Sequence, residues 1–282
     1  MKKIKIKARA KINLTLDVVG VIGGYHEINS LVTSIDLSDQ ITLTKRKDKR
    51  ITLKCEGLPV GCDITDNNAY KATKLFLDTY DTQGVDIVIN KNIPIGAGLG
   101  GSSADIAGVL NGLKELYQID GDLLPLANAL GSDSGYMLGG GYAIISGRGE
   151  KIERKNIDKT LYFILITEQE NISARASYKA FDSIGKVFDK CTEQAENALE
   201  QNNFEKFVSI IKNDLYHGSK ELVPQLQTNI DVLKKAGAPT AIMTGSGSAV
   251  YGVFDSVKER DKCYKKLLPI YGDKLIKAQT EY

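Results

Sequence analysis

Hydrophobic and polar residues alternate at the start of the chain. In "KIKIKARAKINLTLDV" apolar residues occupy every second position, and lysines fill most of the early positions between them. A period of two is typical of a half-buried β-strand whose lysines face solvent. The segment "DQITLTKRKDKRITLKC" repeats the alternation on both sides of a charged turn, which predicts two more strands. The chain therefore begins with antiparallel sheet.

A helical period replaces the alternation from Asn68 to Tyr80, where apolar residues recur at spacings of three and four. The segment "VDIVINKNIP" predicts a strand that ends before Pro94. Four of the six residues from Gly96 to Gly101 are glycine. A second helical stripe follows this glycine loop directly, and a glycine loop that opens into a helix N-terminus is a ready anion site. The stripe consists of Ile106, Val109, Leu110, Leu113 and Tyr117.

The start of this second helix carries its own signals. Either Ser102 or Ser103 is predicted to be the N-cap. Asp105 is expected in the first turn, where the helix dipole favours a negative charge.

Helical and strand patterns are mixed without strict alternation in the rest of the chain. "DLLPLANAL" predicts a helix and "YAIISG" a strand, and the composition turns charged from Arg148 to Asp158. Long helical stretches are predicted over Thr192–Leu215 and Thr228–Ala236. "PTAIMTGSGSAVYGVFD" predicts two strands joined by a glycine and serine turn. These patterns predict an α+β fold, with an N-terminal lobe over residues 1–155 and a C-terminal lobe over residues 156–282.

Composition narrows the function class. The 282 residues include 37 lysines and arginines against 35 aspartates and glutamates, which argues against a protein that mainly neutralises nucleic acid. The four cysteines form no C-x-x-C pair, and the chain has only two histidines. These residues lack the spacing of a typical metal site. No stretch approaches the roughly 20 apolar residues of a membrane span, and the N-terminus lacks a signal-peptide core. We therefore expect a cytoplasmic protein that acts on small molecules.

Two well-known nucleotide motifs do not explain the glycine loop. The P-loop motif fails because no lysine precedes Ser102 or Ser103. The pattern G-x-G-x-x-G is satisfied formally, with Asp120 about 20 residues downstream where a ribose-binding acid belongs. Asp120, however, falls in the polar turn "YQIDGD" between two predicted helices and not at a strand end. Two explanations remain: the loop binds phosphate, or its glycines only allow tight packing.

Several polar residues are candidates for chemistry, each with a plainer alternative. Lys11 and Asn13 share one face of the first strand. Lys11 is either solvated or binds a polyanion together with Asn13. Asp133 is either a turn aspartate or a carboxylate that positions an attacking hydroxyl. Tyr25 and His26 either lie on a surface loop with no binding role or bind a heterocycle. "TGSGSAVYG" is either a hairpin turn or a second functional glycine loop.

Taken in order, five segments resemble the GHMP kinase superfamily and, within it, the 4-diphosphocytidyl-2-C-methyl-D-erythritol kinases. They are "AKINL", "GYHEI", "PIGAGLGGSSAD", "LGSDSGYMLGGGYAIISGRGE" and "MTGSGSAVYG". The resemblance implies an N-terminal lobe like ribosomal protein S5 domain 2 and a ferredoxin-like C-terminal lobe. It also implies ATP-dependent phosphorylation of the 2-hydroxyl of the cytidine-diphosphate-linked methylerythritol, in the non-mevalonate route to isoprenoids.

The resemblance carries specific residues with it. Lys11 and Asp133 match the catalytic pair, in which the carboxylate accepts a proton and the ammonium steadies developing charge. The ATP site would comprise Asn67, Lys91, Pro94, Gly96, Ala97, Gly98, Leu99, Gly100, Gly101, Ser102 and Ser103. The substrate site would comprise Asn13, Tyr25, His26, Tyr178, Gly245 and Ser246, with the tyrosines stacked on cytosine and His26 on its polar edge. Mg²⁺ is expected with ATP, held largely by phosphates; no carboxylate ligand is assigned, and Ser103 is a candidate by position.

Two departures and two alternatives accompany the resemblance. Ser134 and Gly135 replace the valine and proline of the family segment "GADVPFFL", and Asn68 brings a polar side chain into "DNNAY".

One alternative is a kinase for another small alcohol, which would not need the aromatic residues around a nucleobase. The other is a silent nucleotide-binding paralogue, which the presence of Lys11 and Asp133 opposes. The expected partner is a small molecule carrying cytidine diphosphate, with no nucleic acid or membrane, and the expected state is a monomer or weak homodimer.

Overall fold

The computed structural model describes residues 2–168, 170–185 and 188–281. Strands and helices alternate irregularly in this part of the chain, and the predicted α+β class is confirmed. The strands are β1 (Lys3–Asn13), β2 (Asp17–Ile22), β3 (Tyr25–Lys45), β4 (Ile51–Gly57), β5 (Val85–Lys91), β6 (Ala143–Gly147), β7 (Lys151–Arg154), β8 (Tyr162–Ile166), β9 (Thr240–Met243), β10 (Val250–Phe254) and β11 (Leu275–Gln279). The helices are α1 (Asn68–Tyr80), α2 (Gly101–Tyr117), α3 (Leu124–Leu130), α4 (Ser134–Met137), α5 (Ala174–Ile184), α6 (Thr192–Glu200), α7 (Phe204–Ile210), α8 (Tyr216–Leu222), α9 (Gln225–Ala236) and α10 (Val257–Tyr271).

The chain forms two compact units, each assembled from three segments. Unit 1 consists of Met1–Ala10, Leu37–Ile95 and Gly100–Gly140. Unit 2 consists of Lys11–Asp36, Gly96–Leu99 and Gly141–Tyr282. The division into lobes at residues 155 and 156 stays a prediction.

Unit 1 packs helices against a sheet. The second half of β3 pairs antiparallel with β5, and β5 pairs parallel with β4. Helix α2 lies close to this sheet because it carries glycines where the strands approach. A Cβ added at Gly108 would lie 2.8 Å from Ile41 Cδ1, and one at Gly112 would lie 2.5 Å from Leu43 Cδ1. The predicted helical stripe therefore contributes Ile106, Val109, Leu110 and Leu113 to the core.

The start of α2 differs from the prediction. Its N-cap is Gly100, in the left-handed conformation, and neither Ser102 nor Ser103 caps it. Both serines lie inside the helix instead. Asp105 falls beyond the first turn, is buried and binds Lys91, so an ion pair decides its position rather than the helix dipole.

Unit 2 contains the first half of β3 and a separate antiparallel sheet. The segment Tyr25–Asn29 pairs with β2, Ile28–Val32 pairs with β6, and β6 pairs with β7. The separate sheet has the strand order β11-β8-β10-β9. Strands β9 and β10 confirm the predicted pair at "PTAIMTGSGSAVYGVFD".

The predicted helix over Thr192–Leu215 is wrong in its continuity. The structure breaks it into α6 and α7 at Gln201–Asn203, where Asn202 adopts a φ of 52°. Asn203 then caps α7 by accepting a hydrogen bond from the Lys206 amide at 3.0 Å. Asparagine tolerates the left-handed region and is a strong N-cap, which outweighs the apolar periodicity. In the described residues, no helix has the length and apolarity to cross a membrane.

Buried Asp17 caps α6 from a distant part of the chain. Its carboxylate accepts hydrogen bonds from the Cys191 amide at 3.0 Å and the Thr192 amide at 2.9 Å. Only 1% of Asp17 is exposed. Burial, together with the Asp17 charge, raises the pKa of the Cys191 thiol to about 12. Asp17 therefore fixes the start of α6, and Cys191 stays a neutral thiol.

Replacing Asp17 with alanine should destabilise the protein. The variant leaves the Cys191 and Thr192 amides without their acceptor, and hydrogen bonds to charged groups contribute about 1.5–3 kcal/mol each. We expect urea denaturation to show a loss of unfolding free energy of about 1.5–3 kcal/mol. Glu193→Ala, which removes an exposed carboxylate from the same helix end, is the matched control. Equal effects of the two substitutions would contradict the assignment.

Candidate functional site

The glycine loop between β5 and α2 alternates buried side chains with left-handed glycines. Gly96, Gly98 and Gly100 have φ values of 69°, 78° and 72°. Ala97 and Leu99, which separate them, are 2% and 1% exposed. Alternating backbone conformations of this kind turn successive N–H groups into a concave anion-binding surface.

The loop leads directly into α2, whose first four N–H groups have no partner within the helix. Ser102 and Ser103 lie in this first turn, and half-buried Pro94 marks the entrance of the loop. Gly101 is also closely packed, since a Cβ there would lie 3.1 Å from Ile93 Cγ2. That the loop and the helix end hold the phosphates of ATP stays a prediction.

A buried ion cluster anchors the strand that leads into the loop. The Lys91 ammonium binds both Asp39 and Asp105, and Lys91 is only 5% exposed. Asp39 also accepts hydrogen bonds from the Asn92 and Ile93 amides, at 2.5 Å and 2.9 Å. Lys91 was predicted to belong to the ATP site. The structure places its ammonium between two carboxylates, and a contact with ATP stays a prediction.

The charges of this cluster oppose one another. Burial alone lowers the pKa of Lys91, but the charges of Asp105 and Asp39 more than reverse this effect and raise it above its ordinary value. Burial raises the pKa of Asp105 to about 7, against the attraction of Lys91. One ammonium therefore serves two carboxylates, and Asp105 is the group that takes up a proton.

Asn67 and Asn68 bracket the start of α1. The Asn67 side chain caps the helix by accepting a hydrogen bond from the Ala69 amide at 2.8 Å. Asn68 Nδ2 donates to Ser102 Oγ at 2.7 Å. The polar residue that departs from the family pattern thus ties α1 to the first turn of α2. This role was missed, because only the fold brings the two residues together.

Within unit 2, the end of β1 meets the first half of the glycine loop. The Lys11 amide donates to the Leu99 carbonyl at 3.0 Å, and its ammonium donates to the Asn13 side-chain oxygen. Asn13 Nδ2 in turn donates to Ser30 Oγ at 2.8 Å. Lys11 is 5% exposed and Asn13 is 2% exposed. The alternative of a solvated strand lysine is therefore wrong for Lys11.

The loop from Thr244 to Ala249 joins the same cluster in unit 2. Thr244 Oγ1 accepts a hydrogen bond from the Asn13 amide at 3.0 Å. A Cβ added at Gly245 would lie 2.9 Å from the Gly98 carbonyl and 3.4 Å from Lys11 Nζ. The Ala249 amide donates to the Ala97 carbonyl at 3.2 Å. The connection between β9 and β10 is therefore part of the glycine-loop packing and more than a hairpin turn.

Two asparagines that sequence reasoning missed support these loops. Asn213 Nδ2 donates to the carbonyls of Met243 and Gly245, at 2.9 Å and 2.8 Å. Asn171 packs so closely to the first loop that a Cβ at Gly96 would lie 2.6 Å from its Cγ. Ser246 Oγ donates to the Ile172 carbonyl at 3.4 Å. No motif in the sequence marks Asn171 or Asn213.

Asp133 begins α4 in unit 1, beside the first turn of α2. A Cβ added at nearby Gly131 would lie 2.8 Å from Ser134 Oγ and 3.4 Å from Ser103 Oγ. Ser134 is fully buried, and among the described residues its hydroxyl has no hydrogen-bond partner. The departure from the family pattern at Ser134 therefore places a buried polar atom next to the proposed catalytic carboxylate.

The three aromatic candidates fall in unit 2. The His26 ring stacks on Tyr178 with ring centroids 4.6 Å apart, and its Nε2 atom lies 2.7 Å from Asp182 Oδ1. Tyr25 is exposed, and the Arg148 guanidinium lies 3.8 Å from its ring centroid. The structure thus brings His26 and Tyr178 together. Stacking of cytosine between Tyr25 and Tyr178 stays a prediction.

Comparison with known proteins decides the family. The model for the GHMP kinases N terminal domain matches residues 67–148, and that for GHMP kinases C terminal matches residues 195–274. A 4-diphosphocytidyl-2-C-methyl-D-erythritol kinase of Clostridium botulinum (strain Eklund 17B / Type B) is 35% identical, over 97% of this chain and 99% of that protein. The chain belongs to the 4-diphosphocytidyl-2-C-methyl-D-erythritol kinase family. The resemblance seen in the sequence is confirmed.

Two further comparisons agree with this family. The Macrococcus caseolyticus kinase of the same name is 37% identical, over 90% of each chain. A crystal structure of 4-(cytidine 5'-diphospho)-2C-methyl-D-erythritol kinase superposes with a TM-score of 0.85 at 27% identity, over 99% of this chain and 100% of that one. The predicted GHMP kinase fold of this family member is confirmed, and the chain is an ATP-dependent kinase.

Gly98→Ala should lower the unfolding free energy of this kinase by more than the strain of a left-handed backbone alone explains. A Cβ there would lie 2.3 Å from the Thr244 carbonyl. Gly185 has a similar positive φ, but a Cβ there meets nothing within 4 Å among the residues that the structure describes. Gly185→Ala should therefore cost about 1–2 kcal/mol of unfolding free energy. Gly98→Ala should cost clearly more and weaken ATP binding, as measured by urea denaturation and calorimetry; equal costs would refute the close contact.

The ion cluster predicts a pH dependence of stability. Because the folded pKa of Asp105 is about 7, between about pH 4 and about pH 7 the folded state keeps a proton that the unfolded chain releases. Stability therefore falls as pH rises through this window. Asp105→Asn lacks this titrating carboxyl, so its stability should not fall in this way. The unfolding free energy of the variant minus that of the wild type should therefore increase with pH. Exposed Asp120→Asn is the control, and a flat difference for Asp105→Asn would contradict the cluster.

Proposed function

We propose that the chain transfers the γ-phosphoryl group of ATP to the 2-hydroxyl of 4-diphosphocytidyl-2-C-methyl-D-erythritol, in the methylerythritol phosphate route to isoprenoid precursors. The observation that carries the proposal is identity of 35–37% over nine-tenths or more of relatives that bear this kinase name. Lys11, Asp133 and the glycine loop are the parts of this chain that the sequence resemblance assigns to phosphoryl transfer.

The glycine loop is proposed to hold the phosphates. Its left-handed glycines and the N-terminus of α2 present backbone N–H groups and a positive dipole end, which suit a polyanion. Among the described residues, no group of three or more histidine, cysteine, aspartate or glutamate side chains could hold a metal ion. Mg²⁺ is proposed to be held largely by the phosphate oxygens of ATP, with Ser103 as a candidate ligand by position. Bound Mg-ATP supplies the γ-phosphoryl group.

Asp133 is proposed to accept the proton of the substrate hydroxyl. The hydroxyl oxygen forms a bond to the γ-phosphorus while the bond from that phosphorus to the bridging oxygen breaks, and ADP leaves. Lys11 would stabilise the negative charge that develops on the oxygens. The bond from its ammonium to Asn13 limits the motion of both side chains. This arrangement supports a fixed cation rather than a mobile surface lysine.

The cytidine end of the substrate is proposed to bind around Tyr25, His26 and Tyr178. All three belong to unit 2, and exposed Tyr25 offers an aromatic face for a base. Gly245 and Ser246 would contact the substrate from the loop that follows β9, and Asn13 would hold the methylerythritol. Residence in the cytoplasm and a monomeric or weakly dimeric state remain predictions.

Activity with a panel of alcohols tests the proposal. Purified protein with Mg-ATP should release ADP with the cytidine-diphosphate methylerythritol and not with homoserine, mevalonate or galactose. Asp133→Asn should lower kcat by about 10²–10⁴-fold, the range for loss of a general base, while ATP binding is kept.

The other outcomes separate the alternatives. Turnover with another alcohol of the panel would make the protein a sibling kinase. ATP binding without turnover of any substrate would support a silent paralogue. Undiminished kcat in Asp133→Asn would remove Asp133 from the proposed chemistry.

A further inference from the structure

Asn213 lies in a short segment that pairs with the continuation of β1. Leu16 and Asn213 form a parallel β-bridge. The Leu16 amide donates to the Lys212 carbonyl at 3.0 Å, and the Asp214 amide donates to the Leu16 carbonyl at 2.9 Å. Asn213 is 4% exposed. Its backbone is therefore fixed, inside unit 2, to the chain that follows Lys11.

The orientation of the Asn213 side-chain amide follows from its partners. The backbone amide of Leu215 can only donate, and it lies 3.0 Å from Oδ1. The carbonyls of Met243 and Gly245 can only accept, and they lie 2.9 Å and 2.8 Å from Nδ2. An asparagine nitrogen carries two hydrogens and its oxygen carries none, so only one orientation satisfies all three groups. Both hydrogens of the side chain therefore bind the two carbonyls on either side of Thr244.

These two carbonyls flank the start of the loop over residues 244–249, which we call the second glycine loop. Thr244 Oγ1 accepts a hydrogen bond from the Asn13 amide at 3.0 Å. A Cβ added at Gly245 would lie 2.9 Å from the Gly98 carbonyl and 3.4 Å from Lys11 Nζ. The second glycine loop therefore packs against the backbone of the first glycine loop and against the Lys11 ammonium.

We infer that Asn213 is a positioning residue for phosphoryl transfer, because it holds the second glycine loop beside Lys11 through two backbone carbonyls. The inference rests on the proposed function, in which Lys11 stabilises the charge that develops on the oxygens. Asn213 acts only through the loop. A displacement of about 1 Å at reacting groups can lower a rate about 100-fold. The inference adds a residue that lies outside the set assigned to the site from the sequence.

Two substitutions separate this role from the support that Asn213 gives to the start of α8. Asn213→Asp keeps the size of the side chain and the oxygen that accepts from Leu215, but it places a second oxygen against the two carbonyls. Asn213→Ala removes both ends of the amide. At about pH 9, each variant should lower kcat about 10–100-fold and leave KM for ATP and for the alcohol within about 3-fold of the wild type.

Asn229→Asp is the matched control. Asn229 is also fully buried in unit 2, and its Nδ2 atom donates to Glu168 Oε1 at 2.7 Å. The same chemical change is thus made at another buried amide, on α9, whose partners are Glu168, Gln225 and Tyr271. Its kcat should stay at the wild-type value.

The pH dependence of Asn213→Asp gives a readout that general damage to the fold would not give. Burial raises the pKa of the introduced carboxyl, and once protonated its O–H group can again donate to a loop carbonyl. The kcat of this variant relative to the wild type should therefore rise about 5-fold as pH falls from about 9 to about 6, the scale of one regained hydrogen bond. Asn213→Ala should show no such rise. Lys11, Lys212 and Asp214 are present in every protein compared, so the ratio removes their own titration.

Hydrogen exchange tests the position of the second glycine loop without ATP or any alcohol. The Thr244 amide donates to the Ala249 carbonyl at 3.1 Å, and the Gly247 amide donates to the Thr244 carbonyl at 3.0 Å. In Asn213→Ala these two amides should exchange about 3–10-fold faster than in the wild type. The amides of α10 should exchange at wild-type rates.

The outcomes separate this inference from the proposed function. An unchanged kcat in Asn213→Ala, unchanged exchange of the Thr244 and Gly247 amides, or a flat pH ratio for Asn213→Asp would overturn the inference even if the kinase acts on the cytidine-diphosphate substrate. Turnover of another alcohol would contradict the proposed substrate, and a kcat loss in both Asn213 variants with that alcohol would still support the inference. A chain that turns over no alcohol would overturn both.

Discussion

A buried ammonium shared by two carboxylates is the constraint on which the phosphate loop depends. Lys91 ends β5, and its charge is removed from water between Asp39 and Asp105. Taking three charges out of water is costly unless each is bonded, and removing one partner from a buried pair typically costs about 3–5 kcal/mol. Asp39 meets this requirement by also accepting two backbone amides, those of Asn92 and Ile93. The chain is thus fixed immediately before the glycines begin.

The glycine loop follows from that fixed starting point. Ala97 and Leu99 are buried and fix the backbone at two positions, and Gly96, Gly98 and Gly100 take left-handed conformations that most other residues rarely adopt. In unit 2, the Lys11 amide and the Ala249 amide bind the loop carbonyls. The amides that would meet phosphate are therefore positioned by packing and by backbone hydrogen bonds, before any ligand binds.

Much of this arrangement was predictable because it is local. Period-two and helical patterns gave most strands and the helices α1 to α3, and the glycine density gave the loop. The breaks and the partners were not predictable in the same way. Asn202 interrupts a periodic helix through its own backbone conformation. Asp39, Asn171, Asn213 and Asp182 act on residues far away in the chain, and no spacing rule connects such pairs. The family resemblance supplied Lys11 and Asp133, but it could not show that Asn68 binds Ser102 or that Ser134 is buried without a partner.

The interleaved composition of the two units limits how such a protein can change by recombination. Each unit draws on three separated segments, and the glycine loop is itself divided, with Gly96–Leu99 in one unit and the chain from Gly100 in the other. A single crossover between two related genes would almost always give at least one unit made of mixed parentage. Segments that have adapted to each other, such as β1 and the loop after β9, would then come from different parents. Homologous chains of this architecture should therefore diverge mainly by point substitution, with the whole gene inherited as one block.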